Sequence, residues 1–358
     1  MARWRRHFSA AGITTGVAAA AVGAVIAAEK IAVGRIRLQP DPAADEPFGQ
    51  VHGRPVEVIA DDGVVLHAEV SGPDDAPVTV VFCHGYCLSQ DVWHYQRLAL
   101  AEETRVVVYD QRGHGQSGRG ASDRASIDQL GTDLAAVLAA TVPGDRPVVL
   151  VGHSMGGMTI MALAQQQPEL FGPKVVGVCL ISTAAHLPDA TGWLPGPLRP
   201  VARLAGPAVL RGSASGRRAE LTEWIRGAVG DLAFLSTRFI AFGDPDVSPA
   251  VVDFLEHVIR ATPIDVVADF YGALLEHDKR LALATIGKVP TVVLAGGQDR
   301  LIPAKQTAAL AAAVPGAFLV TAPEAGHVLQ LERPEVVTGE ISDLVAVALD
   351  AARRQRPA

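Results

Sequence analysis

A serine hydroxyl becomes a nucleophile only when a base takes its proton and an acid holds that base in place. Ser154, Asp299 and His327 have the types and the chain order for that work. Ser154 is the centre of Gly152-His153-Ser154-Met155-Gly156, the chain's single G-x-S-x-G. The pattern sets a serine at the tip of a sharp strand-to-helix turn, where Gly152 and Gly156 remove Cβ atoms that would collide. The N–H of Met155 then points where an oxyanion would form. Asp299 closes the run Val292-Val293-Leu294-Ala295-Gly296-Gly297-Gln298-Asp299, and His327 follows Ala325-Gly326. Both are expected in loops just past a strand, at the same sheet edge as the serine.

A second oxyanion donor is expected upstream. Val80-Val81-Phe82-Cys83-His84-Gly85-Tyr86 reads as a strand running into a His-Gly turn. Gly85 lets the backbone approach a reacting carbonyl, and the N–H of Tyr86 is the natural donor beside that of Met155. His84 is expected to brace this turn by hydrogen bonding. Asp278 is the rival for the acid. His114, His153, His257 and His277 are the rivals for the base, and none follows a late strand as His327 does.

Two other patterns point elsewhere and are set aside. Gly113-His114-Gly115-Gln116-Ser117-Gly118 is a G-x-G-x-x-G after a strand, but Gly120, Ala121 and Ser122 prolong the loop. No helix opens where a pyrophosphate would sit. The reading is a tight loop tied down by Asp110 and Arg112, and no cofactor is expected. Cys83, His84 and Cys87 lack the second ligand pair of a closed zinc site, so no metal is expected. Cys83, Cys87 and Cys179 are an odd set without framework spacing, which predicts free thiols.

The elements that position these residues follow from periodicity. Val56–Ile59 and Val64–Val70 flank Asp62-Gly63, a hairpin turn. Apolar runs at Val78–Cys83, Arg105–Tyr109, Val148–Val151, Val175–Ile181, Thr291–Ala295 and Ala317–Thr321 read as buried strands. Helical patterns at Ile127–Ala140, Met155–Gln166, Ala304–Ala313 and Glu335–Ala352 alternate with them. Such alternation predicts βαβ units and a mostly parallel sheet. Residues 185–271 break it with Pro-punctuated helices. They carry Trp193, Trp224, Phe234, Phe239, Phe242, Phe254, Phe270 and Tyr271, read as a helical cap with an apolar pocket beneath it. The expected division is an N-terminal segment at 1–37, a linker at 38–55, a core at 56–184 and 272–352, and the cap at 185–271.

A net charge of −7 argues against a nucleic-acid partner, which needs clustered Lys and Arg. Phe8 to Ala28 is a 21-residue run without a charge, after Arg3, Arg5 and Arg6. As a helix it would be roughly 31 Å long at about 1.5 Å per residue, enough to cross a bilayer core. It is read as a membrane anchor, with a cleaved export signal as the competitor. Lys30, Arg35 and Arg37 balance the upstream arginines, so flanking charge leaves orientation open.

His84-Gly85, Asp110 to Gly118, Gly152 to Gly156, Asp299 and Gly326-His327 together make the chain resemble the α/β-hydrolase superfamily, within it the capped esterase, lipase and cofactor-free haloperoxidase-like group. The resemblance covers roughly Val56 to Ala348. It implies an eight-stranded, mostly parallel sheet with helices on both faces, and an acyl-enzyme serine mechanism. Relatives that open epoxides or cleave carbon–halogen bonds carry an acidic nucleophile, against which Ser154 argues. Cys87 stands where many haloperoxidase-like relatives have Pro, which disfavours perhydrolysis. The expected activity is hydrolysis of small apolar carboxylic esters. Acyl transfer, perhydrolysis or haloperoxidase-like activity, and a non-catalytic small-molecule binding module are the alternatives. A histidine base works only when neutral, so activity is expected to fall below about pH 6 to 7.

Overall fold

The computed structural model of the chain describes residues 30, 33–187 and 230–355. Valine-rich runs, buried along their whole length, make the centre of the sheet: β3 (Thr79–Cys83), β4 (Arg105–Tyr109), β5 (Val148–His153) and β6 (Val175–Ile181). Burial of both faces is what a parallel strand requires, since helices cover it above and below. β1 (Arg54–Ile59) and β2 (Val65–Ser71) form the antiparallel hairpin at one edge. β7 (Thr291–Gly296) and β8 (Phe318–Ala322) complete the other. The order is β1-β2-β4-β3-β5-β6-β7-β8, antiparallel at β1/β2 and β2/β4 and parallel from β4 onward.

That order sets the site. From β3 the chain crosses to β4 on one side, then returns past β3 to β5 on the other. Between β3 and β5 the connections leave in opposite directions, and a crevice opens at their carboxyl ends. His84-Gly85 leaves β3 there, and Ser154 leaves β5.

The helices are α1 (His94–Leu100), α2 (Ile127–Thr141), α3 (Met155–Gln166), α4 (Gly230–Ala241), α5 (Pro249–Ala261), α6 (Ile264–Leu275), α7 (Ala304–Ala313) and α8 (Pro334–Gln355), with shorter turns between them. Alternate strand residues face opposite layers. Val80, Phe82, Val149 and Val151 pack with Trp93, Leu100 of α1 and Leu344 of α8. Val81, Cys83, Val148 and Leu150 pack with Leu134 of α2, Ile160 of α3 and Leu310 of α7. Ser126 caps α2 by accepting the N–H of Gln129 at 3.1 Å.

Among the described residues, helices α4 to α6 and a short turn of helix at Leu283–Ile286 lie between β6 and β7; residues 188–229, with Trp193 and Trp224, fall outside the described residues. α6 continues past Tyr271, where the sequence reading ended the insertion, to Leu275. The insertion's two ends are zipped together by a β-bridge between His186 and Asp278 and by Lys279 N–H donating to Ala185 O at 2.7 Å. The expected aromatic pocket needs correction. Phe234, Phe242 and Phe254 are buried in the main core, where they dock the insertion, and Phe239 is 64% exposed. Among the described aromatics of the insertion, Phe270 is the one that joins the cluster around Met155.

The expected linker at 38–55 also needs correction. Residues 33–48 are a packed strap, not a free tether, because they carry side chains that complete the insertion. Asp41 accepts from Ser248 Oγ and, at 3.1 Å, from Ala250 N–H, capping the start of α5. Phe48 stacks on Phe254 at 4.6 Å, and Glu46 meets His94 at 3.2 Å. Arg37 pairs with Asp253 at 3.1 Å and lies 5.4 Å over the Phe234 ring. Val33 and Ala43 are buried. Among the described residues no helix is long and apolar enough to cross a membrane. Phe8 to Ala28 lies outside them.

Candidate active site

Ser154 sits between β5 and α3 with φ 52° and ψ −116°, a left-handed conformation that a side-chain-bearing residue adopts only under constraint. The constraint is close packing. A Cβ on Gly156 would stand 2.0 Å from Cys83 O, and one on Gly152 would stand 2.6 Å from Gly156 O. The helix start is thus pressed onto the end of β3, and only glycine fits. Ser154 N–H donates to Ile181 O at 2.9 Å, and Ser154 O accepts from Thr183 Oγ1 at 2.8 Å. The strained residue is therefore held from β6.

His327 and Asp299 are brought together. His327 Nδ1–H donates to Asp299 Oδ2 at 2.8 Å, and both residues are buried. Asp299 Oδ1 accepts the N–H groups of Leu301 at 2.8 Å and Ile302 at 2.9 Å, so its carboxylate cannot turn away. The His327 ring lies 4.8 Å from the ring of His153, the residue before Ser154, and His153 Nε2–H donates to His327 O at 2.9 Å. His153 thereby ties the elbow to the histidine loop. No hydrogen bond joins Ser154 Oγ to His327; such links are often loose without substrate.

The turn after β3 is fixed from the core. Gln111 N–H donates to His84 Nε2 at 2.9 Å, and His84 Nδ1–H donates to Gly85 O at 2.7 Å. Each ring nitrogen has one role, so the imidazole is neutral; burial, reinforced by His114, lowers its pKa to about 3. Gln111 also donates to His84 O at 2.6 Å and accepts from Thr159 Oγ1 of α3 at 2.7 Å. The N–H groups of Tyr86 and Met155 donate to no carbonyl among the loop and turn bonds. Met155 opens α3, whose first-turn N–H groups lack intrahelical acceptors.

The rivals are elsewhere. Asp278 faces Arg280 at 2.5 Å, His257 is exposed, and His277 Nε2–H donates to Ala184 O at 2.9 Å. His114 Nδ1–H donates to Arg112 O at 3.0 Å. In the loop after β4, Asp110 accepts Gln90 N–H and Gln116 N–H, each at 2.8 Å, while Arg112 lies between Asp133 at 2.6 Å and Asp62 at 2.8 Å. Cys83, Cys87 and Cys179 form no disulfide.

The sequence reading missed Glu332. Its buried carboxylate accepts N–H groups from Gly243 at 2.9 Å, Asp244 at 2.6 Å and Gly326 at 2.7 Å. It therefore shapes the loop holding His327 and fastens it to the insertion. Two of its partners are backbone groups almost ninety positions away, which no local pattern announces. Burial raises its pKa despite those donors.

With the geometry established, comparisons with known proteins place the chain. It is 27% identical over 280 residues to 3-oxoadipate enol-lactonase 2 of Acinetobacter baylyi, covering 78% of this chain and 92% of that one. It is 40% identical over 113 residues to the bifunctional esterase/perhydrolase DCH of Acinetobacter calcoaceticus, covering 31% of this chain and 40% of that one. Its fold matches a thermophilic esterase from Thermogutta terrifontis with TM-score 0.64 at 25% identity, covering 82% and 98% of the two chains. It matches the enol-lactonase from Burkholderia xenovorans with TM-score 0.65 at 25% identity, covering 81% and 100%. The sequence pattern of the Alpha/beta hydrolase family fits residues 80–340, and the chain belongs to that family of enzymes.

Proposed function

We propose that the protein is a serine hydrolase of carboxylic esters that works through an acyl-enzyme. The observation that carries this is the buried Asp299–His327 bond, 2.8 Å long, with Asp299 pinned by two further N–H donors beside the strained Ser154. Asp299 fixes the proton on His327 Nδ1 and leaves Nε2 as the acceptor. Ser154 Oγ attacks the acyl carbonyl carbon as Nε2 takes its proton. The N–H groups of Tyr86 and Met155 receive the oxyanion. The protonated His327 passes its proton to the departing alkoxide, and the alcohol leaves. A water, deprotonated by His327, then attacks the acyl carbon; the acid departs and Ser154 regains its proton.

Helices α4 to α6 are assigned as the cap, with the substrate's apolar part on Met155, Tyr86, Val266, Phe270, Ile302 and Leu187, which pack as one cluster. An apolar acyl ester suits that lining, and the enol-lactonases among the relatives add lactones to the panel worth testing. The test is a fluorophosphonate probe with intact-mass mapping: one adduct on Ser154, none in Ser154→Ala. An adduct that persists in Ser154→Ala overturns the assignment. Added alcohol or peroxide, with product analysis, separates acyl transfer and perhydrolysis from hydrolysis. Saturable ligand binding with no turnover on any ester or lactone points to a binding module. The Phe8–Ala28 run is proposed as a membrane anchor on length and lack of charge alone.

A further inference from the structure

Tyr86 belongs to two parts of the molecule at once. Its backbone continues the turn after β3, where His84 fastens Gly85 to the core. Its side chain leaves the core and reaches the cap. The hydroxyl donates to Val267 O in α6, and the ring packs in the cluster of Met155, Val266 and Phe270. Burial raises the hydroxyl's pKa far above its usual range, so it is always a donor. The ring also stands edge-on to His114 at 6.4 Å, and His114 stands 5.5 Å from Phe270.

α6 rests on a second loop as well. Arg119 pairs with Asp265 and, at 2.7 Å, with Asp269, both on α6. Gly113, at φ 77°, lies so close that a Cβ there would stand 2.9 Å from Val266 Cγ1. The helix is therefore seated on the loops leaving β3 and β4. One seat, Tyr86, is also the residue whose N–H is assigned to the oxyanion.

We infer that Tyr86 is a positioning residue: its hydroxyl couples the seating of α6 to the aim of its own backbone N–H, so that an acyl chain packed on Val266 and Phe270 speeds the chemical step as well as binding. This rests on the serine-hydrolase reading above. The backbone at Tyr86 runs between Gly85, fastened by His84, and the hydroxyl's acceptor on α6. An acyl chain filling the cluster holds α6 down, and the Tyr86–Val267 bond passes that restraint to the oxyanion donor. An acetyl group carries no chain to pack on Val266 and Phe270 and gains nothing from the link.

The experiment compares kcat and KM for p-nitrophenyl acetate and hexanoate in the full chain, Tyr86→Phe, Arg119→Gln and the double variant, with hydrogen exchange of residues 264–275. Tyr86→Phe keeps the ring and the N–H and removes only the hydroxyl. In the wild type, kcat is expected to rise from acetate to hexanoate by about three- to tenfold, the worth of one neutral hydrogen bond. In Tyr86→Phe that gain in kcat disappears while the fall in KM with chain length remains, and exchange in 264–275 speeds up. Arg119→Gln lowers the gain alone but changes nothing further in the Tyr86→Phe background. An unchanged kcat gain in Tyr86→Phe, an equal loss at both chain lengths, or additive effects in the double variant overturns the coupling. Unchanged exchange in 264–275 overturns the latch even if no ester is turned over. A wild type that hydrolyses neither ester overturns the serine-hydrolase reading and the coupling with it, whatever the exchange shows.

Discussion

The sheet edge and the cap are held by different kinds of bond. At the sheet edge, side chains fasten backbone: His84 to Gly85, Asp299 to Leu301 and Ile302, and Glu332 to Gly243, Asp244 and Gly326. At the cap's outer side, side chains meet side chains: Arg37 with Asp253, Arg119 with Asp269, and Phe48 with Phe254. Buried bonds to backbone fix a loop within tenths of an ångström and are costly to break. Exposed pairs are worth little singly and permit motion. The difference teaches where each part would yield: the loops carrying Ser154, Asp299 and His327 only by losing buried bonds, the insertion's outer side one weak pair at a time.

The largest expected effect tests the rigid side. Ser154→Ala and His327→Ala should each lower kcat on a p-nitrophenyl ester by at least about a thousandfold, since such residues act as a unit. Asp299→Asn should cost roughly as much, because it leaves His327 in the wrong tautomer. If any of the three retains a tenth of wild-type kcat, the assigned unit is wrong.

Glu332→Ala comes next. It strands the buried N–H of Gly326, an orphan worth about 1–3 kcal/mol, and leaves the part-buried N–H groups of Gly243 and Asp244 to turn to water at a smaller cost. We expect lower stability in urea and a fall in kcat, since the same loop carries His327. A variant with wild-type stability would show that the loop is held from elsewhere.

Core and cap seam also share a pH limit. Burial lowers the pKa of His84 to about 3, and of His114 and His277 to about 4, from the ordinary 6.5. Depressed values in the folded state mean that the unfolded chain binds protons first. Their stabilisation is complete above about pH 6.5 and is lost as pH falls towards 4 and then 3. Asp110 opposes them: burial raises its pKa to about 6, so its folded form gains as pH falls from there to 3.8. Burial also holds His153 well below its ordinary value and raises Glu332, so four histidines stand against two carboxyls, and Tm should fall between pH 6.5 and 4.5. A constant Tm over that range would mean that these rings find partners as they charge.

Legibility divides along the same line. The central strands were readable because burial on both faces forces runs of Val, Ile and Leu; β8, expected to be buried, is instead largely exposed, Phe318 by 63%, because it is the sheet's edge strand. The placement of Ser154, Asp299 and His327 was readable because each lies in a glycine-containing loop just past a strand. The strap was not: Asp41, Glu46 and Phe48 look like loop residues until α5 and α1 supply their partners. Glu332 and the hydroxyl of Tyr86 were hidden for the same reason, since their acceptors and donors lie far along the chain. Counting aromatics misled, because Phe234, Phe242 and Phe254 are buried in the main core, where they dock the insertion.

The smallest effect separates strap from anchor. A chain starting at Glu29 loses the apolar run and keeps the strap; one starting at Gln50 loses both. The first should have wild-type kcat, KM and Tm on soluble esters and differ only in location: full chain with membranes, shortened chain in solution. The second loses the Asp41 cap on α5, worth about 0.5–2 kcal/mol, along with the Phe48 stack. Because Ser154, Asp299 and His327 do not touch the strap, its kcat on acetate should change little. Its Tm should fall and exchange at 249–261 should quicken, both through loss of the cap's outer support. Equal Tm for the two shortened chains would show that the strap merely lies on the cap. Full-length protein found only in the soluble fraction would remove the anchor and leave the strap's role intact.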